Sequence, residues 1–203
     1  MNTITVGHER VTPSKIVCIG RNYVDHIQEL DNEVPDDMVV FLKPNSAIST
    51  QLSAYQKETL HYEGEISLLV ENGCFTAVGF GLDLTKRELQ AHLKDKGLPW
   101  ERAKAFDGAA VFSDFVRFDG ECASLSLALS INNTLVQSGA VEHMMFKPKA
   151  ILAQLPEFLT LNDGDIVMTG TPKGVGPMSA GDTFEGCILR ADEVLVEGRW
   201  VAQ

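Results

Sequence analysis

The sequence predicts an α+β fold built on a mixed β-sheet. Apolar runs of strand length outnumber helical patterns, the helical patterns are short, and the two do not alternate as a regular βαβ series requires. In chain order, KIVCIG at Lys15–Gly20 reads as the first strand. It runs into a short helical pattern over 21–30 (RNYVDHIQEL) that fades into the acidic, polar stretch 31–37. VVFLKP at Val39–Pro44 is a second strand, stopped by its proline. LHYEGEISLLV and AVGFGLDLT follow as two more strands, with a turn at Asn72 and Gly73 between them. Thr85, Lys86, Arg87 and Glu88 have capping-box form, with Thr85 as N-cap and Glu88 reaching back, and open a helix that ends at Gly97. SLSLALSI and TLVQSG flank Asn132 and Asn133, a hairpin turn because asparagine tolerates positive φ. Pro148 suits the first turn of a helix through ILAQL, and Pro156 ends or kinks it. NDGD is a turn and DIVMTG a strand, and the glycine-rich TPKGVGPMSAGD leads into a last hairpin.

The chain has 203 residues, 44% hydrophobic and 22% charged, which is ordinary globular composition with length for one good core. A single domain over 1–203 is expected. The net charge of −11 disfavours nucleic-acid phosphates and anionic membranes as partners. Four scattered cysteines, none in CxxC spacing and each in or beside an apolar run, are expected as buried, reduced thiols. No apolar run approaches the ~20 residues of a membrane helix, and MNTITVGHER lacks the apolar region of a secretory signal. A cytoplasmic location away from membranes is therefore expected.

Three carboxylates stand out. Strand periodicity points Glu63 and Glu65 the same way. Asp83 shares its face with Ala77, Gly79 and Gly81, where side chains are pared to almost nothing. If the strands are neighbours, three like charges converge and need neutralising. Oxygen ligands without a Cys/His cluster favour Mg²⁺ or Mn²⁺ over zinc. The alternative is a wet strand face with no ion. His61 falls on the same face, either behind the ligands or as an ordinary surface histidine.

His26 and Glu29, at i and i+3 of a helix, are either a carboxylate-oriented base or a solvated turn. Lys104, among small and apolar residues, either holds a developing oxyanion or snorkels to solvent. Arg87 and Gln90, also i and i+3, either grip a substrate carboxylate or carbonyl or form a solvated face. GTPKGVG offers backbone N–H groups and the Thr171 hydroxyl to an anion, but lacks the order of a nucleotide P-loop and reads as a plain turn. No GxSxG elbow supports a serine hydrolase.

Taken together, IGRNYVDHIQE, VVFLKP, HYEGEISLLV, GFGLDLTKRELQ, KGLPWERAKAFDGA, the Asn132 hairpin and GDIVMTGTPKGVGP resemble the fumarylacetoacetate hydrolase family over nearly the whole chain. The likeness is greatest to its small acylpyruvate hydrolase and oxaloacetate decarboxylase members. The resemblance implies a mixed β-roll with short peripheral helices, a homodimer, and Mg²⁺ or Mn²⁺ on Glu63, Glu65 and Asp83. It makes His26 and Glu29 a water-activating dyad on a lid over about 21–37. It sets Lys104 beside the metal-bound oxygens and gives Arg21, Arg87, Gln90 and Thr171 to the substrate.

The leading expectation is hydrolysis of an acylpyruvate, a 2,4-diketo acid, to pyruvate and a carboxylic acid. The alternative is decarboxylation or keto–enol tautomerisation of oxaloacetate, which the same ion and lysine would serve. A different class, a non-catalytic binder of divalent ions or small acids, predicts ion binding without turnover.

Overall fold

The computed structural model of the chain describes residues 1–29 and 35–203, and of residues 26–28 the backbone only. The elements that carry the architecture are β1 (Lys15–Gly20), α1 (Val24–Glu29), β2 (Val39–Pro44), β3 (Gly64–Glu71), β4 (Cys74–Asp83), α2 (Arg87–Asp95), α3 (Glu101–Lys104), β5 (Ala110–Phe112), β6 (Leu125–Ile131), β7 (Thr134–Ala140), α4 (Pro148–Gln154), β8 (Ile166–Met168), β9 (Thr183–Arg190) and β10 (Glu193–Val201). The main sheet runs β2-β1-β8-β3-β4-β5 and closes on the two-residue strand Ile48–Ser49. It is mixed, since β8 lies parallel to β1 and antiparallel to β3. A second, antiparallel sheet, β7-β6-β9-β10, packs against β3 and β4. With few and short helices around these sheets, the class is α+β.

The main sheet is buried on both faces. Val17 and Ile19 of β1 join Ile66, Leu68 and Phe80 in the core shared with the second sheet. Ile16 and Cys18 join Leu69, Ala77, Phe115 and Met168 in a second core on the other face. Burial on both sides is why these strands read as nearly continuous apolar runs. Period two then gives Glu65 the face of Leu69, and Asp83 the face of Ala77, so both stand at one end of the second core. Gly79 and Gly81 do not leave open space there, contrary to the expectation from their size. A Cβ at Gly79 would come within 3.0 Å of the Phe115 ring, and one at Gly81 within 2.3 Å of Ser67 Oγ. These glycines let neighbouring side chains close against the strand beneath the acids.

Asn72 and Gly73 (φ 50° and 70°) turn β3 into β4, and Asn132 and Asn133 (φ 51° and 63°) turn β6 into β7, as positive-φ hairpin turns demand. Pro148 opens α4, and Pro156 lies in the 3₁₀ turn Leu155–Glu157 that follows it. The capping box at Thr85 does not form. The helix begins at Arg87, and the Glu88 N–H is met by Glu58 Oε1 at 3.1 Å. Thr85 is instead engaged by Lys104, whose Nζ donates to its hydroxyl at 2.7 Å. A buried ammonium needs that oxygen more than a helix end that another acid can reach. The expectation of four buried thiols is corrected at two positions: Cys18 and Cys122 are buried, but Cys187 is half-buried and Cys74, just past the β3–β4 turn, is exposed. All four are free thiols. Among the described residues no helix is long and apolar enough to cross a membrane.

Asp165, fully buried just before β8, ties that strand to the entry of β1. Its carboxylate accepts from Ser14 Oγ at 2.6 Å and from the Asn162 N–H at 2.8 Å, and pairs with Lys15. Burial pushes its carboxyl up, but Lys15 and these donors outweigh that and hold it below the ordinary range. A depressed carboxylate contributes stability above its unfolded pKa and loses it as pH falls through the folded value. Asp165→Ala is expected to cost about 3 kcal/mol at neutral pH. The deficit measured by urea unfolding should shrink below about pH 4.

Candidate active site

The expected single strand around the first two acids is broken at Glu63, which lies between the short strand Leu60–Tyr62 and β3. Pairing with β4 survives the break, because the Asp83 N–H donates to the Glu63 carbonyl at 2.8 Å. Register then sets Glu65 opposite Gly81. Glu63, Glu65 and Asp83 each offer an oxygen, and these atoms lie within 4.8 Å of one another. Their exposures are 6%, 2% and 0%, so a wet strand face is not what holds them together.

Buried cations answer two of the three. Lys104, at the end of α3, donates to Glu63 Oε2 at 2.7 Å and to Asp83 Oδ2 at 2.8 Å. Burial alone would lower its pKa, but Asp83 and Glu63 outweigh that and hold the ammonium above the ordinary lysine range. The snorkelling alternative fails, since Lys104 is 2% exposed. Lys43 of β2, with no exposed surface, stands 2.7 Å from Asp83 Oδ1 and donates to the Lys104 carbonyl. Arg87 pairs with Glu63 Oε1. Glu65 takes the Gly170 N–H at 2.7 Å, against burial and the charges of Asp83 and Glu63, which together push its carboxyl well above the usual range.

The donor set is hard oxygen throughout, and Asp83 Oδ1, buried and contacted by Lys43, accepts no aligned hydrogen bond. A divalent cation of the Mg²⁺ or Mn²⁺ type fits those atoms and would relieve the repulsion at Glu65.

The three acids line one cleft with Arg21, Arg87, Gln90, Lys104 and Thr171. Gln90 Oε1 accepts from Arg87 Nη1 at 2.8 Å, so the i, i+3 pair acts as a unit. Thr171 Oγ1 accepts from Gln137 Nε2 at 2.8 Å, and Gln137 Oε1 in turn takes the Gly64 N–H at 2.8 Å. The GTPKGVG loop spends its N–H groups on the protein's own acids: Gly170 on Glu65, and Gly174 on Glu29 at 2.9 Å. It cradles no phosphate through these donors.

Glu29 lies on α1, outside the cleft lining. The side chain of its expected partner, His26, falls outside the described residues, as does part of the 21–37 segment. The same loop ties α1 a second time, through Lys173 Nζ to Asp25 at 3.1 Å. His61 does not reach the cleft lining. Burial, then Arg87, pushes its imidazole below the ordinary value.

Sequence reasoning missed Lys43, Thr85, Gln137 and Lys94. The signal for Lys43 was a lysine inside an apolar strand, on the face of Phe41, where only a buried partner could hold it. Gln137, a lone amide in an otherwise strand-like run, carried a similar signal.

The arrangement combines a hard-oxygen cluster able to hold a cation, a buried ammonium against it, and further cationic side chains lining the same cleft. It suits a small anionic substrate whose oxygen gains negative charge during reaction.

The fumarylacetoacetate (FAA) hydrolase C-terminal family matches residues 15–198. The oxaloacetate tautomerase YcgM of Escherichia coli K12 is 38% identical, with 85% of this chain and 89% of that protein covered. The mitochondrial oxaloacetate tautomerase FAHD1 of Homo sapiens is 36% identical, with 85% and 86% covered. The crystal structure of fumarylpyruvate hydrolase from Pseudomonas aeruginosa, in complex with Mn²⁺ and pyruvate, superposes with a TM-score of 0.87 at 27% identity, covering all of this chain and 96% of that one.

Proposed function

The chain belongs to the fumarylacetoacetate hydrolase family, and on that premise we propose that it is a divalent-cation-dependent oxaloacetate tautomerase. The observation that carries the reading is the buried triad Glu63, Glu65 and Asp83, clasped by Lys104 and facing Arg21, Arg87 and Gln90 across one cleft. The relatives named oxaloacetate tautomerases favour this over the acylpyruvate hydrolysis expected first from the sequence. Hydrolysis is the second reading, supported by the fumarylpyruvate hydrolase of the same fold.

Towards the enol, tautomerisation breaks the C3–H bond and the C2–O π bond, forms the C2–C3 double bond and puts the proton on the former 2-oxo oxygen; loss of enol is the reverse. Mg²⁺ or Mn²⁺ on the triad, when bound, supplies positive charge that lowers the cost of enolate charge on that oxygen. Lys104 Nζ, held protonated by Asp83 and Glu63, adds a second, fixed charge at the same end of the cleft. Arg87, steadied by Gln90, orients the substrate carboxylate. The Thr171 hydroxyl, set by Gln137, contributes a hydrogen bond. The proton at C3 is assigned to His26, the base that the family resemblance pairs with Glu29. No water attacks carbon in this scheme, so the dyad serves proton transfer rather than hydrolysis.

The test mixes Mn²⁺-loaded protein with enol-rich oxaloacetate in a stopped-flow instrument and follows loss of enol absorbance, with CO₂ and pyruvate measured in parallel. Acetylpyruvate is assayed separately for acetate and pyruvate. Fast enol loss without matching CO₂ supports the proposal. Acetate and pyruvate from acetylpyruvate, with no acceleration of oxaloacetate, would replace it with hydrolysis.

A further inference from the structure

We propose that Trp100, backed by Phe41, is a specificity-determining residue: its ring is a fixed apolar wall that admits small 2-oxo acids to the cleft and turns away those with bulky tails. The proposal rests on the oxaloacetate reading and says why the cleft would take that acid in preference to an acylpyruvate with a large acyl group.

The cleft lining divides by chemistry. Beside the acids and Lys104, its polar part includes Arg87, Gln90 and Lys94 of α2, while Ile19, Phe41 and Trp100 are apolar. The proposed reaction draws on the polar part and leaves the two aromatic rings without a role. The cleft is also small, about 40 Å³, against about 390 and 440 Å³ for the surface grooves beside Tyr23 and beside Cys74. In so small a space, the side chain with the largest ring system decides what fits.

Three contacts fix that wall. The Phe41 and Trp100 ring centroids lie 5.9 Å apart at an interplanar angle of 55°, a tilted arrangement of the kind aromatic pairs favour. Both rings close over the backbone of Gly20 at the end of β1, where a Cβ would stand 3.7 Å from Phe41 Cε1 and 3.7 Å from Trp100 Cζ3. Trp100 directly precedes α3, and its carbonyl accepts from the Ala103 and Lys104 N–H groups at 2.8 and 3.0 Å. One turn of chain therefore sets both the indole and the residue whose ammonium clasps the acids.

The two rings differ in their second task. Lys104 Nζ stands 5.2 Å from the Phe41 centroid, within cation–π range, so a change at Phe41 would disturb the ammonium. A side-chain change at Trp100 keeps the carbonyl that anchors α3. Trp100 is thus the position at which size can be tested apart from charge. A packed ring discriminates by clash: an oversized tail has to displace it, whereas a small acid does not.

Calorimetric titration of the Mn²⁺-loaded protein with oxamate and with N-benzyloxamate tests this. The two share the head of a 2-oxo acid, have no C3–H to lose, and differ only in the tail. The wild type should bind oxamate about tenfold or more tighter than N-benzyloxamate. In Trp100→Ala the gap should shrink to about threefold or less, through an absolute gain in N-benzyloxamate affinity. Trp100→Leu, a milder change, should move the ratio the same way, and Trp100→Phe should stay nearer the wild type. A purely structural tryptophan would weaken both ligands and strengthen neither. An unchanged ratio in the Ala and Leu variants, or a loss for both ligands without a gain for the bulky one, overturns the proposal. If the ratio shifts as expected but the wild type does not tautomerise oxaloacetate, the function reading falls and the size wall stands. If the wild type tautomerises oxaloacetate and the ratio does not move, the size wall alone falls.

Discussion

Asp83→Ala is expected to abolish turnover, by about a thousandfold or more, and to remove measurable Mn²⁺ binding. Asp83 is the acid most committed to the site: it has no exposed surface, and both its oxygens face ammonium groups, Lys104 at 2.8 Å and Lys43 at 2.7 Å. Removing it takes one of three ligands and leaves two buried lysines short of a counter-charge. A thousandfold is about 4 kcal/mol of transition-state stabilisation, the scale of a lost electrostatic anchor in a dry site. The second consequence is structural. Uncompensated buried ammonium groups are costly, so the variant should also melt lower in the absence of metal, by roughly 10 °C. Calorimetry with Mn²⁺ and a thermal melt read the two effects separately. An Asp83→Ala protein that binds Mn²⁺ as the wild type does would remove Asp83 from the ion site.

Lys104→Met should separate the ion from the chemistry. Methionine matches the length of the lysine stem but carries no charge. The three carboxylates stay, so Mn²⁺ should still bind, and more tightly than in the wild type, because the ion no longer competes with an ammonium donated to Glu63 Oε2 and Asp83 Oδ2. Turnover should nevertheless fall by about a hundredfold or more, because the fixed charge beside the developing oxyanion is gone. The metal-free variant should be destabilised, with two buried carboxylates left facing methionine, and added Mn²⁺ should recover more stability than it gives the wild type. Unchanged turnover with tight Mn²⁺ binding would make Lys104 a counter-ion for folding only.

Much of the scaffold is legible from residue type. KIVCIG and VVFLKP end where Gly20 and Pro44 end them, and the paired Asn72–Gly73 and Asn132–Asn133 positions are the turns their tolerance of positive φ predicts. Parity gives Glu65 and Asp83 their faces, and the hairpin pairing that sets Glu65 opposite Gly81 then brings them together. What depends on register between distant segments is not legible. Lys43 reaches Asp83 because β2 pairs with β1 so that Lys43 faces Ile16, beneath the acids. Thr85 looks like a helix cap in isolation and becomes a ligand for an ammonium nineteen positions away. The break at Glu63 escapes periodicity, because alternation continues in the sequence while the backbone leaves the strand. Lys94 escapes as well, since helical spacing says which residues share a face but not which face meets the cleft.

The most direct test of the account removes bound metal with a chelator, adds back Mn²⁺ stepwise, and follows enzyme-accelerated loss of oxaloacetate enol absorbance at each step. The account predicts no acceleration in the chelated protein and a rate that climbs with Mn²⁺ to a plateau at one ion per chain. Full acceleration in the chelated protein, or none at saturating Mn²⁺, would contradict it.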